Sequence, residues 1–226
     1  MTENYRPQGF RLLPPVVKNL LIINVIMFFL TDVMGGFGID FTRYLGLHYI
    51  AAKNFYPWQY FTYLFMHANF MHLLFNMFAL WMFGYSLENY WGSKRFLFYY
   101  LFCGVGAGLI QNVVVAYQIW DFTQAGYPAY LIARFMNNSV TIGASGAVFG
   151  ILLAFGMMFP NMLIYVYFLI PIKAKWFVII YGAIELIAGV SRTGSTNIAH
   201  FAHLGGMLFG IILILWWRKR RRNDFY

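Results

Sequence analysis

The stretch Asn137-Asn138-Ser139-Val140-Thr141-Ile142-Gly143-Ala144-Ser145-Gly146 leads directly into an apolar run that ends at Phe159. As a helix, Ser145 to Phe159 would measure about 22 Å, against a hydrocarbon core of about 30 Å. A segment too short to cross starts inside the membrane, so the polar, glycine-containing residues ahead of it descend from the outer face to meet it. Irregular backbone at that depth is tolerated only where protein or water covers it. A shortened, glycine-interrupted segment therefore points to a functional site within the bilayer, and its first helical residue is a serine.

The rest of the chain fits a membrane setting. Of its 226 residues, 61% are hydrophobic and 10% charged, outside the range of soluble globular domains. Apolar segments run Val16 to Gly35, Phe70 to Tyr85, Phe96 to Ala116, Ser145 to Phe159, Trp176 to Val190 and Ile198 to Trp217. We expect an all-α, polytopic bundle of six transmembrane helices with a short, deep-starting fourth helix. The expected organisation is a cytoplasmic leading segment (1–15), one bundle domain (16–217) and a basic cytoplasmic tail (218–226). The first apolar run is too long for a signal peptide and lacks a small-residue cleavage site, so the first span is expected to stay. Cys103 lies in an apolar run and reads as packing.

The net charge of +9 is concentrated rather than spread. Five cations form Arg218 to Arg222 beside Trp216 and Trp217, the mark of a helix end anchored to anionic headgroups, which argues against nucleic-acid binding. With both termini cytoplasmic, twelve basic residues fall inside (Arg6, Arg11, Lys18, Lys94, Arg95, Lys173, Lys175 and Arg218 to Arg222) and four outside (Arg43, Lys53, Arg134, Arg192). That bias favours the orientation. The outer connection from Phe37 to Tyr63 is rich in aromatics and suits the interface. The stretch Met162 to Ile172, bracketed by Pro160 and Pro171, reads equally as interfacial or as an extension of a neighbouring span.

Depth brings the polar residues together. Ser145 should lie about 8 Å below the outer surface, and His203, five residues after Ile198, about 7.5 Å below it. His72 and Asn76 share one face of the second span, in its outer part. Isolated polar groups in hydrocarbon cost several kcal/mol, so three segments reaching one layer suggests one water-accessible cavity.

The chemistry that layer permits is acyl transfer. A serine hydroxyl is a weak nucleophile unless a base stands within hydrogen-bond reach, and His203 can be that base. A helix N-terminus at Ser145 offers free N–H groups and a positive dipole end to a developing oxyanion, to which His72 and Asn76 can add donors. Gly143 and Gly146 permit tight backbone and close approach by a substrate strand. Phe149, one turn beyond Ser145, can stack on the imidazole. No aspartate shares the layer, so the expectation is a dyad. Glu185 reads as a neutral structural group in the middle or inner part of the fifth span.

Each of these residues also has a plainer reading. Serine before an apolar helix is commonly an N-cap, a lone histidine commonly a packing residue, and Gly206 with Gly210 a small-xxx-small packing pattern. The coincidence of depth and side favours the catalytic reading. A metal site is disfavoured because no H-E-x-x-H is present, His67 and His72 lie on different helix faces and no carboxylate is expected in their layer. An aspartyl protease would need two aspartates in mid-span, and the chain has none.

These residues resemble the rhomboid intramembrane proteases from Val16 to Trp217. Gly143-Ala144-Ser145-Gly146 is similar to the family's G-x-S-G motif, and His203-Leu204-Gly205-Gly206 with Gly210 to its H-x-x-G-x-x-x-G sixth helix, an alignment that makes His200 a decoy. His72-Leu73-Leu74-Phe75-Asn76 resembles the H-x-x-x-N pair, implying oxyanion roles for both, and His67 falls where a further histidine precedes it. Glu88 with Gly92 resembles the segment closing the second helix. Trp58-Gln59 departs from the Trp-Arg of some relatives, and Phe149 stands where tyrosine is also familiar. The resemblance implies a serine endopeptidase without cofactor in a bacterial-type plasma membrane, cutting transmembrane segments of other membrane proteins near the outer face. Two rivals are a catalytically silent rhomboid-like protein that binds clients and a small transporter, which would need ion-coordinating groups at mid-depth.

Overall fold

The computed structural model describes residues 11–166, 169–191 and 197–223. Arg6 and Arg192, both counted in the charge bias, and the first ten residues of the leading segment lie outside them. Helix α1 (Pro15–Gly36) begins with proline at its first position, where the missing N–H is no loss. The next two N–H groups, of Val16 and Val17, donate to Glu88 at 2.9 and 2.8 Å, and Ser93 Oγ donates to the same carboxylate at 2.6 Å. One buried carboxylate thus caps α1 and ties it to the turn between α4 (Phe70–Trp91) and α5 (Ser93–Gln124). That turn is made at Gly92, whose φ of +80° suits glycine.

The outer connection holds α2 (Phe41–Leu45), strand β1 (Leu47–His48), α3 (Gln59–Thr62) and a 3₁₀ turn (Tyr63–Phe65). Its hub is Gln59, fully buried. The side chain accepts from His48 and Tyr56 N–H and donates to the Tyr44 and Asn54 carbonyls. The departure at position 59 therefore leaves the loop anchored through an uncharged amide.

After α5 come α6 (Ala129–Asn138), β2 (Val140–Thr141), α7 (Ser145–Met158), a hairpin of β3 (Leu163–Val166) and β4 (Ile170–Lys173), α8 (Ala174–Val190) and α9 (Asn197–Asn223). The chain is mostly helical but not all-α. Strand β1 pairs antiparallel with β2, and β3 with β4. The segment before α8 is therefore that hairpin; Pro171, at a position exposed to the side, is compatible with a two-stranded edge. Two boundaries also shift. Helix α5 has 32 residues, well beyond Phe96 to Ala116, and α9 runs on past Trp217 through the first residues of the expected tail.

Among the described residues, four helical stretches are long and apolar enough to cross a membrane: Pro15–Gly36, Phe70–Trp91, Ser93–Gln124 and His200–Arg220. Helix α7 is shorter, and packs against α4, α5, α8 and α9 at the centre of the bundle. Its small residues allow this. A Cβ on Gly150 would press on Cys103, and one on Gly206 of α9 would collide with the Gly146 carbonyl. Helices α7 and α9 therefore cross backbone to backbone.

Candidate active site

That crossing sets the site. Ser145 precedes Gly146, and His203 precedes Gly206 by three residues, so close contact between the glycines brings the two side chains together. Nε2 of His203 lies 2.9 Å from Ser145 Oγ. The residue at the α7 N-cap is Ala144, so the Ser145 hydroxyl is not the capping group and lies instead against the imidazole. Phe149 stacks on the His203 ring at 4.1 Å and 6°, restricting it to one plane.

The backbone ahead of Ser145 is held by long-range bonds. Leu47 pairs with Thr141 and His48 with Val140, and Gly143 N–H donates to the Tyr63 carbonyl at 2.9 Å. Gly143 adopts φ +123°, and a Cβ there would lie 2.8 Å from Cε1 and Nε2 of His72. Only glycine satisfies both the dihedral and the approach. His72 Nδ1 accepts from Ala68 N–H at 3.4 Å, which leaves the proton on Nε2, the nitrogen nearest Gly143. Asn76 donates one amide hydrogen to the His72 carbonyl at 2.8 Å, and His67 packs edge-on against His72 at 5.1 Å. A cleft of about 550 Å³ between α4, α7, α8 and α9 is lined by His72, Asn76, Ser145, Phe149, Tyr181 and His203.

Gly146 faces Ala107 and the Ala202 carbonyl rather than the cleft. It therefore contributes to helix approach, and Gly143 to the close fit against the His72 ring. His67 touches the cleft only through His72.

Glu185 departs from its expected position. It is 7% exposed, and its Oε2 accepts from Nδ1 of His203 at 3.0 Å and from Nδ1 of His200 at 2.7 Å. A carboxylate does share the layer, and His200 is no bystander. The signal was present in the helix ends: Glu185 stands five residues before the end of α8 and His203 six after the start of α9. In consecutive helices that distance puts them at one level, about 7.5 and 9 Å from their ends. The ligand atoms of Glu185, His200 and His203 lie within 4.8 Å of one another, a donor set that could hold a divalent ion. The absence of a carboxylate is therefore no longer an argument against metal. Both Nδ1 atoms nonetheless already converge on one carboxylate oxygen at hydrogen-bonding distance, which satisfies all three groups without an ion.

A family model described as the Rhomboid domain matches residues 54–220. The chain belongs to the rhomboid family. Rhomboid protein 1 of Saccharomyces cerevisiae, mitochondrial, is 33% identical over 150 residues, covering 66% of this chain and 38% of that protein. Rhomboid-like protein 11 of Arabidopsis thaliana, chloroplastic, is 33% identical over 193 residues, 78% of this chain and 61% of that one. YdcA of Bacillus subtilis, provisionally named a rhomboid protease, is 28% identical over 214 residues, 94% of this chain and 92% of YdcA. The chain thus spans less than two thirds of the first two relatives. Rhomboid membership and the long apolar helices make it a multi-pass integral membrane protein.

Proposed function

We propose that this rhomboid protein is an intramembrane serine endopeptidase that cuts transmembrane segments of other membrane proteins near the outer face, with Ser145 as nucleophile and His203 as general base. The 2.9 Å contact between Ser145 Oγ and His203 Nε2 carries the reading. In the reaction His203 takes the hydroxyl proton as Oγ attacks the substrate carbonyl, then gives it to the leaving amine; water releases the acyl group by the reverse route. The oxyanion is received by Nε2–H of His72, the second amide hydrogen of Asn76 and N–H groups at the start of α7.

Six spans fit this scheme, with α7 as a short fourth starting below the outer surface, α8 as the fifth, both termini cytoplasmic and a bacterial-type plasma membrane as the setting. A transmembrane helix shields its peptide bonds, so substrates should unwind locally where Gly or Pro weakens the helix near the membrane edge. Regulated release of membrane-tethered segments is the expected outcome.

The test is cleavage of a model transmembrane substrate in detergent by wild type, Ser145→Ala and His203→Ala. Wild type should cleave and both variants should not; equal cleavage by all three overturns the proposal. Absence of His203-dependent fluorophosphonate labelling at Ser145 would favour a silent, client-binding rhomboid protein.

A further inference from the structure

We infer that Glu185, braced by His200, is a positioning residue that fixes the tautomer and orientation of His203 for the proposed Ser145–His203 pair. The inference rests on the Ser145–His203 reading and extends it. A neutral imidazole carries one N–H and one lone pair. With Nδ1 3.0 Å from the Glu185 carboxylate, the proton belongs on Nδ1, because two lone pairs would otherwise face each other. Nε2 then turns its lone pair to Ser145 Oγ, the arrangement a base needs. The opposite tautomer would aim an N–H at the hydroxyl and could accept nothing from it.

The carboxylate acts again as the reaction proceeds. When the Oγ proton moves to Nε2, the ring becomes a cation held between Phe149 and Glu185, with Ser145 and its acyl adduct at one end. The proton then passes from Nε2 to the leaving amine; Glu185 stays ionised throughout and takes none. His200 donates to the same Oε2 at 2.7 Å, which holds the carboxylate in the rotamer that reaches His203. Side-chain exposure is 24% for His200, 16% for His203 and 10% for Glu185, so the carboxylate is the most enclosed of the three and is reached by an imidazole from either side.

The experiment combines kinetics with ¹⁵N-histidine NMR on the full chain in detergent, the His203 signals being assigned by their loss in His203→Ala. Wild type should show His203 protonated at Nδ1. Glu185→Leu should lower kcat by about 10²- to 10⁴-fold, the scale set by the orienting carboxylate of a serine triad, with KM within twofold, and should populate the Nε2–H tautomer. Glu185→Gln, which can still accept from Nδ1–H but is uncharged, should fall between, and Glu185→Asp should recover part of the loss. His200→Ala should lower kcat less than Glu185→Leu. A kcat within threefold of wild type in Glu185→Leu, or Nε2–H in wild-type His203, overturns the inference. Should Glu185→Leu fail to fold, Glu185→Gln and the wild-type tautomer decide. Full cleavage by Ser145→Ala would instead remove the dyad reading, and the wild-type tautomer would still judge the Glu185 contact.

Discussion

The backbone carbonyl of Gly146 occupies the space that a Cβ on Gly206 would need. Here α7 and α9 meet backbone to backbone, one residue from Ser145 and three from His203. Gly206→Ala should therefore force the helices apart, at about 1–3 kcal/mol for overpacking a filled core. Thermal unfolding in detergent should register the loss, and cleavage should fall further than stability alone would require, since Ser145 and His203 separate along the same direction.

Gly143→Ala tests the fit against the His72 ring. The variant meets both an unfavourable dihedral, about 1–3 kcal/mol, and the His72 ring. We expect the fold to survive and kcat to drop at least tenfold as His72 is pushed from the cleft, measured as cleavage by a variant whose melting temperature stays within a few degrees of wild type.

Phe149→Tyr keeps the stacked ring and should stay within threefold of wild-type kcat. Phe149→Leu removes it. An aromatic contact of about 0.5–1.5 kcal/mol predicts a fall of up to roughly tenfold, read in the same cleavage assay.

His48 gives a pH dependence outside the membrane spans. Burial lowers its affinity for a proton below the ordinary histidine range, outweighing the Arg43 carbonyl that favours the charged form. The folded chain thus keeps His48 neutral while the unfolded chain protonates below about pH 6.5. Its contribution to stability is complete above that pH and lost as pH falls toward the folded value. Wild type should lose more melting temperature between pH 7.5 and 5 than His48→Gln. Equal losses would show that His48 is not responsible.

Much of this site was legible in one dimension because membranes make depth countable. Ser145 at the start of a short apolar run and His203 five residues into the last one were assigned to a common layer from residue counts alone, and they meet. Phe149 follows from helical spacing. Glu185 does not keep the middle or inner placement expected of it, because the pairing of α8 with α9 is governed by their adjoining ends, and Glu185 stands five residues from the end of α8. His200 was set aside because a motif names only one histidine, and motif spacing says nothing about which groups a neighbouring helix brings near. The strands were invisible for a different reason. Leu47-His48 and Val140-Thr141 are two residues each, far too short for periodicity to show, and their pairing spans 94 positions from Leu47 to Thr141.

That pairing also has a temporal consequence. The segment holding the proposed nucleophile is clamped by a strand made well before it in synthesis, while the base arrives on α9, 58 residues after Ser145. A growing chain that has threaded α7 into the bilayer thus carries a serine with no base and with its lone pairs unengaged. On the proposed chemistry, the peptidase stays chemically inert until α9 locks against Gly146, which spares neighbouring nascent helices from premature cutting.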